Sequence, residues 1–338
     1  MKPEYIRLTR MDYGLMLVLF IGALALRLIY VIPAGFDGLY GQDPFAYYDF
    51  AAAVRTGQSP APLFWPLGYP ALLVASFIPF GPSAAAGQIA SLTLGALLSV
   101  LVYVLARQLG IGRQGAIIAG VLMAICGQAV QSSLVLMADI PALAWATISA
   151  LSLRRYLQTE RRRWLLLAAL LLALATITRW LYLWLAPIWA LTVVLAWYQR
   201  GTSPRQYLRD AVLAAITAAL IFVPQFAYSA RSPYPTLNHA WVEGWTPANA
   251  LSREFVNVDG QFNYTKVNAV YYAQPFYDPY YLAPVFAPLL LIGAWHLRRR
   301  RLELALLLGW VLLPYIFLAG IPYQNLRFPL IIVPAVVV

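Results

Sequence analysis

The chain has 338 residues, of which 62% are hydrophobic and 11% charged, with a mean hydropathy of +0.68. Soluble domains carry about 45–50% apolar and about 25% charged residues, and disordered chains are polar, so both classes are excluded. The net charge of +11 sits in short clusters between apolar runs, the pattern of topology signals in a multi-pass membrane protein rather than of a nucleic-acid-binding face.

Apolar runs fall near 13–33, 84–106, 114–130, 139–153, 164–178, 180–198, 209–230, 281–297, 302–321 and from 328 to the end. A crossing needs about 20 residues. The runs predict one all-α domain over 1–338, a bundle of about ten transmembrane helices. Met11–Val31 is too long for a signal-peptide core and reads as a retained first span. The stretch 164–198 is either a re-entrant pair or two tilted helices broken at Thr178–Arg179. The last run is too short to cross, so the expectation is a chain that continues or a final piece that is incomplete. Cys126, the single cysteine, excludes an internal disulfide and a cysteine-based metal site.

A cytoplasmic N-terminus puts 17 of the 24 Lys and Arg residues in cytoplasmic segments, as the positive-inside rule requires. Eight of the thirteen acids and both long polar segments, 34–82 and 231–280, then fall outside. The expectation is a plasma (inner) membrane protein that acts on its extracytoplasmic face.

In the first outer segment, Asp43-Pro44 reads as a helix start, with Asp as N-cap and Pro at the first helical position. The helix that follows would lie flat on the membrane with Phe45, Tyr48, Asp49 and Ala52 on one stripe. Asp43 is therefore a cap or a general base held at a rigid helix end. Asp139 also precedes a proline at a helix start, at the outer end of an apolar span, where an ionisable group is costly and a functional candidate. Together the two acids could share a substrate amine or hydroxyl, or a divalent cation. Arg179 interrupts an apolar run and Arg327 stands at the mouth of the last one. Each either snorkels or grips a lipid-linked phosphate through a bidentate fork. Segment 231–280 is dense in aromatics suited to an interfacial belt or to stacking on a sugar or prenyl chain, and holds His239, the only outer histidine. No P-loop, GxGxxG, HExxH or GxSxG motif is present, so nucleotide-driven transport and zinc or serine hydrolysis have no support.

The ordered set of Arg27, Asp43-Pro-Phe-Ala-Tyr-Tyr, Pro66-Leu-Gly-Tyr-Pro-Ala-Leu-Leu73, Met137-Ala-Asp139-Ile-Pro, Ile177-Thr-Arg179 and Arg327-Phe-Pro-Leu-Ile-Ile-Val-Pro334 resembles the membrane-embedded GT-C glycosyltransferases. The likeness is to the branch of protein mannosyltransferases and aminoarabinose transferases. It implies a GT-C bundle with amphipathic helices in the first outer loop. It also implies hexosyl or pentosyl transfer, with inversion, from a polyprenyl-phosphate-linked sugar to a hydroxyl of a protein, lipid or glycan acceptor. On this reading Asp43 is the base, Asp139 its partner at acceptor or metal, and Arg179 and Arg327 hold the donor phosphate. Asp37, Tyr48, Asp49 and His239 are further substrate-loop candidates. The competing readings are a transporter and a non-catalytic subunit of a membrane complex.

Overall fold

The computed structural model describes residues 8–200, 204–234, 240–257, 260–282 and 284–338. Helix α1 (Arg10–Ala34) opens with a capping box: Thr9 Oγ1 accepts from the Asp12 amide and Asp12 returns the bond to the Thr9 amide at 2.7 Å. The same buried carboxylate lies 3.4 Å from Arg107 and 3.3 Å from Arg113. It thereby ties α1 to the ends of α4 (Ala84–Gln108) and α5 (Arg113–Ile125). Arg154 and Glu303, 2.9 Å apart, close this end of the bundle on its other side.

Helix α2 spans Gln42–Arg55 and α3 Gly68–Phe80. The helical path breaks at Cys126, where α5 and α6 (Gly127–Leu134) meet at 50°. A break strands carbonyls, and a side chain that inserts there stabilises the bend. Arg27 fills that role. It is fully buried, and it donates to Ser133 Oγ at 2.8 Å and to the Ala124 carbonyl at 3.5 Å. Next come α7 (Asp139–Thr159) and α8 (Arg162–Thr178), an antiparallel hairpin joined where Ser149 Oγ donates to the Ala168 carbonyl at 2.6 Å. The expected break at Thr178–Arg179 is present: Arg179 is extended, a 3-10 turn covers Trp180–Leu185, and α9 (Ala186–Arg200) resumes. Helix α10 (Pro204–Ser229) lies on the periphery with its apolar side chains exposed.

The all-α membrane class is borne out. Among the described residues, five helices are long and apolar enough to cross a membrane, or six with the bent α5–α6 pair. That is fewer than the ten or so read from sequence. Helix α7 carries Asp139, Arg154 and Arg155, and the segments Gly68–Phe80, Pro284–Trp295 and Phe328–Val337 are apolar but short.

Both long polar segments lie at one end. In the first, α2 and α3 pack through Tyr47 and Tyr69, whose rings meet edge to face at 5.0 Å. The packed face of α2 is Pro44, Tyr47 and Ala51. The stripe read from sequence flanks that face rather than forming a membrane-facing side: Phe45 and Asp49 are exposed, while Tyr48 and Ala52 are half-buried against the core. The second segment contains an antiparallel hairpin, Glu254–Asn257 with Gly260–Asn263, and a short helix, Asn268–Tyr272. It clasps the end of helix Arg301–Gly320: Asn249 Nδ2 donates to the Gly320 carbonyl at 2.8 Å and Tyr272 to the Tyr323 carbonyl at 2.8 Å. The loop from Ile321 to Arg327 is thereby held from outside.

Gln58 and Gln261 are exposed within these segments, and the native Cys126 is buried. Cysteines placed at 58 and 261 should react with an impermeant maleimide applied to intact cells. Protection of both would invert the topology derived from the basic residues.

Candidate active site

Neither aspartate caps its helix. Asp43 is the second residue of α2 after Gly41, Asp139 is the first of α7 after Ala138, and neither helix has a side-chain cap. The expectation that proline makes these acids caps fails because arginines from elsewhere in the chain compete for the carboxylates. Arg179 Nε lies 3.1 Å from Asp139 Oδ1. Arg327 donates through Nη1 and Nη2 to Asp43 Oδ2, both at 3.3 Å. Its Nη1 also stands 3.9 Å from Asp139 Oδ2. The four side chains form an alternating file, Arg179–Asp139–Arg327–Asp43, with no net charge.

Local packing fixes each member. Gly68 presses on the end of α8: a Cβ there would meet Thr178 Oγ1 at 2.6 Å and the Ile177 carbonyl at 2.7 Å. Any side chain at 68 would displace the segment that holds Arg179. The Arg179 guanidinium lies 5.0 Å over the ring of Phe328, the residue after Arg327. Asn325 Oδ1 accepts from the Arg327 amide at 3.0 Å, and Met137 Sδ accepts from its Nη1 at 2.9 Å. Burial disfavours the Arg327 cation, but Asp139 and Asp43 outweigh it and hold the guanidinium above its ordinary pKa. Tyr47, fully buried beside the file, is pushed well above the usual phenol value by burial and stays neutral.

Two cavities meet at this file. One, of about 260 Å³, is lined by Arg179, Arg327, Asp43, Tyr47 and Thr178 and by aromatic walls that include Trp65, Trp180, Trp184 and Phe317. The other, of about 300 Å³, shares with it only Asp43 and Arg327. Asp139, 2% exposed, lines neither.

The structure thus brings together Asp43, Asp139, Arg179 and Arg327, which lie far apart in sequence. Of the substrate-loop candidates, it does not bring in Asp37, Tyr48 or Asp49. Asp37 is exposed and accepts from the Leu39 amide at 3.0 Å. Asp49 is exposed, and Tyr48 turns to Phe77 with rings 5.9 Å apart. His239 lies outside the described residues. Among the described residues no group of three His, Cys, Asp or Glu gathers. The two aspartates face guanidinium groups, so the donor set does not fit a divalent metal. Tyr47 rather than Tyr48 lines the first cavity. The signal was available, since residues four apart on a helix share a face and Tyr47 is four beyond Asp43.

The family model for dolichyl-phosphate-mannose-protein mannosyltransferases matches residues 80–239, which include Asp139 and Arg179. ArnT from Cupriavidus metallidurans bound to undecaprenyl phosphate superposes with a TM-score of 0.65 at 14% identity, covering 97% of this chain and 58% of that one. This is the GT-C fold. AglB from Archaeoglobus fulgidus, an archaeal oligosaccharyltransferase in complex with an inhibitory peptide and a dolichol-phosphate, gives 0.62 at 15% identity over 97% of this chain and 50% of that one. The S. cerevisiae protein O-mannosyltransferase complex Pmt1-Pmt2, bound to the sugar donor, gives 0.56 at 15% identity over 74% of this chain and 39% of that one. The chain therefore spans about half the length of these GT-C structures. No curated protein matches it.

Removing one partner of a buried ion pair strands the other charge, at about 3–5 kcal/mol. Arg179→Leu should therefore lower the thermal unfolding temperature in detergent sharply. Adding Asp139→Asn to it should recover most of the loss, because the stranded carboxylate is gone. Simple additivity of the two substitutions would show that the pair is not coupled.

Proposed function

We propose that this chain is a membrane glycosyltransferase that moves a sugar from a polyprenyl-phosphate-type donor to an acceptor hydroxyl at the outer membrane face, with inversion. The observation that supports it most is the pairing of two arginines and Asp43 at an apolar, aromatic-walled cavity. A prenyl chain suits such walls, and its phosphate suits paired guanidinium forks at their rim. The fold likeness adds relatives whose structures hold undecaprenyl phosphate, dolichol-phosphate or a sugar donor.

The charge file supplies the chemistry. Phosphate leaves as an anion, so Arg179 and Arg327 stabilise charge where it develops. Arg327 neutralises Asp43 at rest; drawn to the donor phosphate, it releases Asp43 to act as base. The acceptor oxygen then bonds to the anomeric carbon while its proton passes to Asp43. The bond from carbon to phosphate oxygen breaks, and its electron pair leaves with the phosphate. One displacement inverts the anomeric centre. Asp139 reaches neither cavity, so it acts as the positioning carboxylate that orients both arginines rather than as a second base.

Asp43→Asn keeps the shape and loses the base, so turnover should fall by about 10²–10⁴-fold. The same change leaves Arg327 with Asp139 alone, 3.9 Å away, so thermal stability should fall somewhat, by less than for Arg179→Leu because Asp43 and Arg327 are both part-exposed. Arg179→Lys and Arg327→Lys keep the charge but lose the fork, and each should weaken donor binding, with Met worse than Lys. The assay is transfer from a panel of polyprenyl-phosphate hexoses and pentoses by the purified chain, read by lipid analysis. Near-normal turnover of Asp43→Asn would remove the base, and unchanged donor affinity of both Met variants would return the arginines to a structural role.

A further inference from the structure

The second cavity differs in kind from the first. Its lining includes Tyr40, Gln128, Gln131 and Ser132, with Asp43 and Arg327 at the shared wall. Gln128, Gln131 and Ser132 are spaced i, i+3 and i+4, so they share one face of α6. Ser133, on another face, is the residue held by Arg27. The 50° break at Cys126 is what aims this polar face at the cavity.

The construction is specific. Gly127 lets the Tyr280 backbone approach, since a Cβ there would meet the Tyr280 carbonyl at 2.7 Å. That carbonyl accepts from the Gln128 amide at 3.1 Å, and the Tyr280 hydroxyl donates to Gln131 Oε1. Gln128, 1% exposed, spends its Nε2 on Ser132 Oγ at 2.9 Å, while its Oε1 has no hydrogen-bond partner among the described residues. An unmatched carboxamide oxygen in an apolar bundle is costly unless a ligand uses it.

The charge of the lining selects the ligand. Asp43 and Arg327 are its charged residues, and they neutralise each other. With the donor bound, Arg327 is engaged by its phosphate and Asp43 is committed to the acceptor proton, so neither is left to hold a charged group of the acceptor. What remains is carboxamide and hydroxyl, which pair with hydroxyls, beside an exposed Tyr40 ring able to stack on a sugar face. We infer that this cavity is the acceptor chamber, and that Gln128 and Gln131 select a neutral, hydroxyl-rich acceptor of the sugar class. Donor and acceptor then enter from opposite sides of the Asp43–Arg327 pair, as an in-line displacement requires. The inference rests on the glycosyl-transfer reading above and adds to it the class of the acceptor.

The test offers the purified full chain its polyprenyl-phosphate sugar with three probes: an octyl glycoside, a Ser/Thr-containing peptide and a phosphorylated glycolipid. The glycoside should be the preferred acceptor. Gln128→Met should raise its KM by about tenfold, the size of one good hydrogen bond, with kcat little changed. Gln131→Leu, at an exposed position that tolerates the change, should shift KM in the same direction even if Gln128→Met does not fold. Preference for the peptide or the phosphorylated glycolipid overturns the inference, as does an unchanged glycoside KM in both variants. Donor consumption without glycoside product overturns it alone, leaving glycosyl transfer standing. A donor that is never consumed overturns both.

Discussion

Four charges stand in file at one end of an apolar bundle, and that end of the protein is organised around them. Each charge alone would be expensive at this depth. Alternation makes the group tolerable: Asp139 sits between two guanidinium groups and Arg327 between two carboxylates. The members come from α2, α7, the end of α8 and the loop after helix Arg301–Gly320. Neutralising the file therefore requires those four elements to meet, so the electrostatic constraint is also an architectural one.

The surrounding devices all serve that meeting. The Gly68 contact clamps the end of α8, the hairpin and its neighbours clasp the loop that ends at Arg327, and the Arg27 plug sets the bend before α7. At the opposite end, Asp12 with Arg107 and Arg113 and the Arg154–Glu303 pair fasten helices without lining either cavity. The same chemistry, a carboxylate with arginines, is structural at one end and exposed to ligand space at the other. What separates the roles is access to a cavity rather than residue type.

The Asp43–Arg327 pair is the boundary shared by both cavities. The ion pair spares the bundle an isolated carboxylate at Asp43. In the proposed mechanism an incoming phosphate competes for the two Arg327 nitrogens that both reach Asp43 Oδ2 in this structure. Donor binding and exposure of Asp43 are thereby one event in that mechanism.

Composition excluded a soluble fold, and the lengths of the apolar runs set the all-α membrane class. The positions of Asp43, Asp139, Arg179 and Arg327 were also legible, since ionisable groups at apolar boundaries are conspicuous. The number of crossings is not decided by hydropathy runs alone: five described helices, or six with the bent pair, are long and apolar enough to cross, while α8 and three other apolar segments are shorter. Nor was the difference between cap and ion pair legible: a proline after an aspartate specifies a helix start, while the partner of the carboxylate lies up to 284 residues away. The inward face of α2 and the roles of Tyr47, Gln128 and Gln131 depend on helix phase and on the bend at Cys126. Local sequence sets which residues share a face, but only the packing of distant segments decides which face meets the cavity.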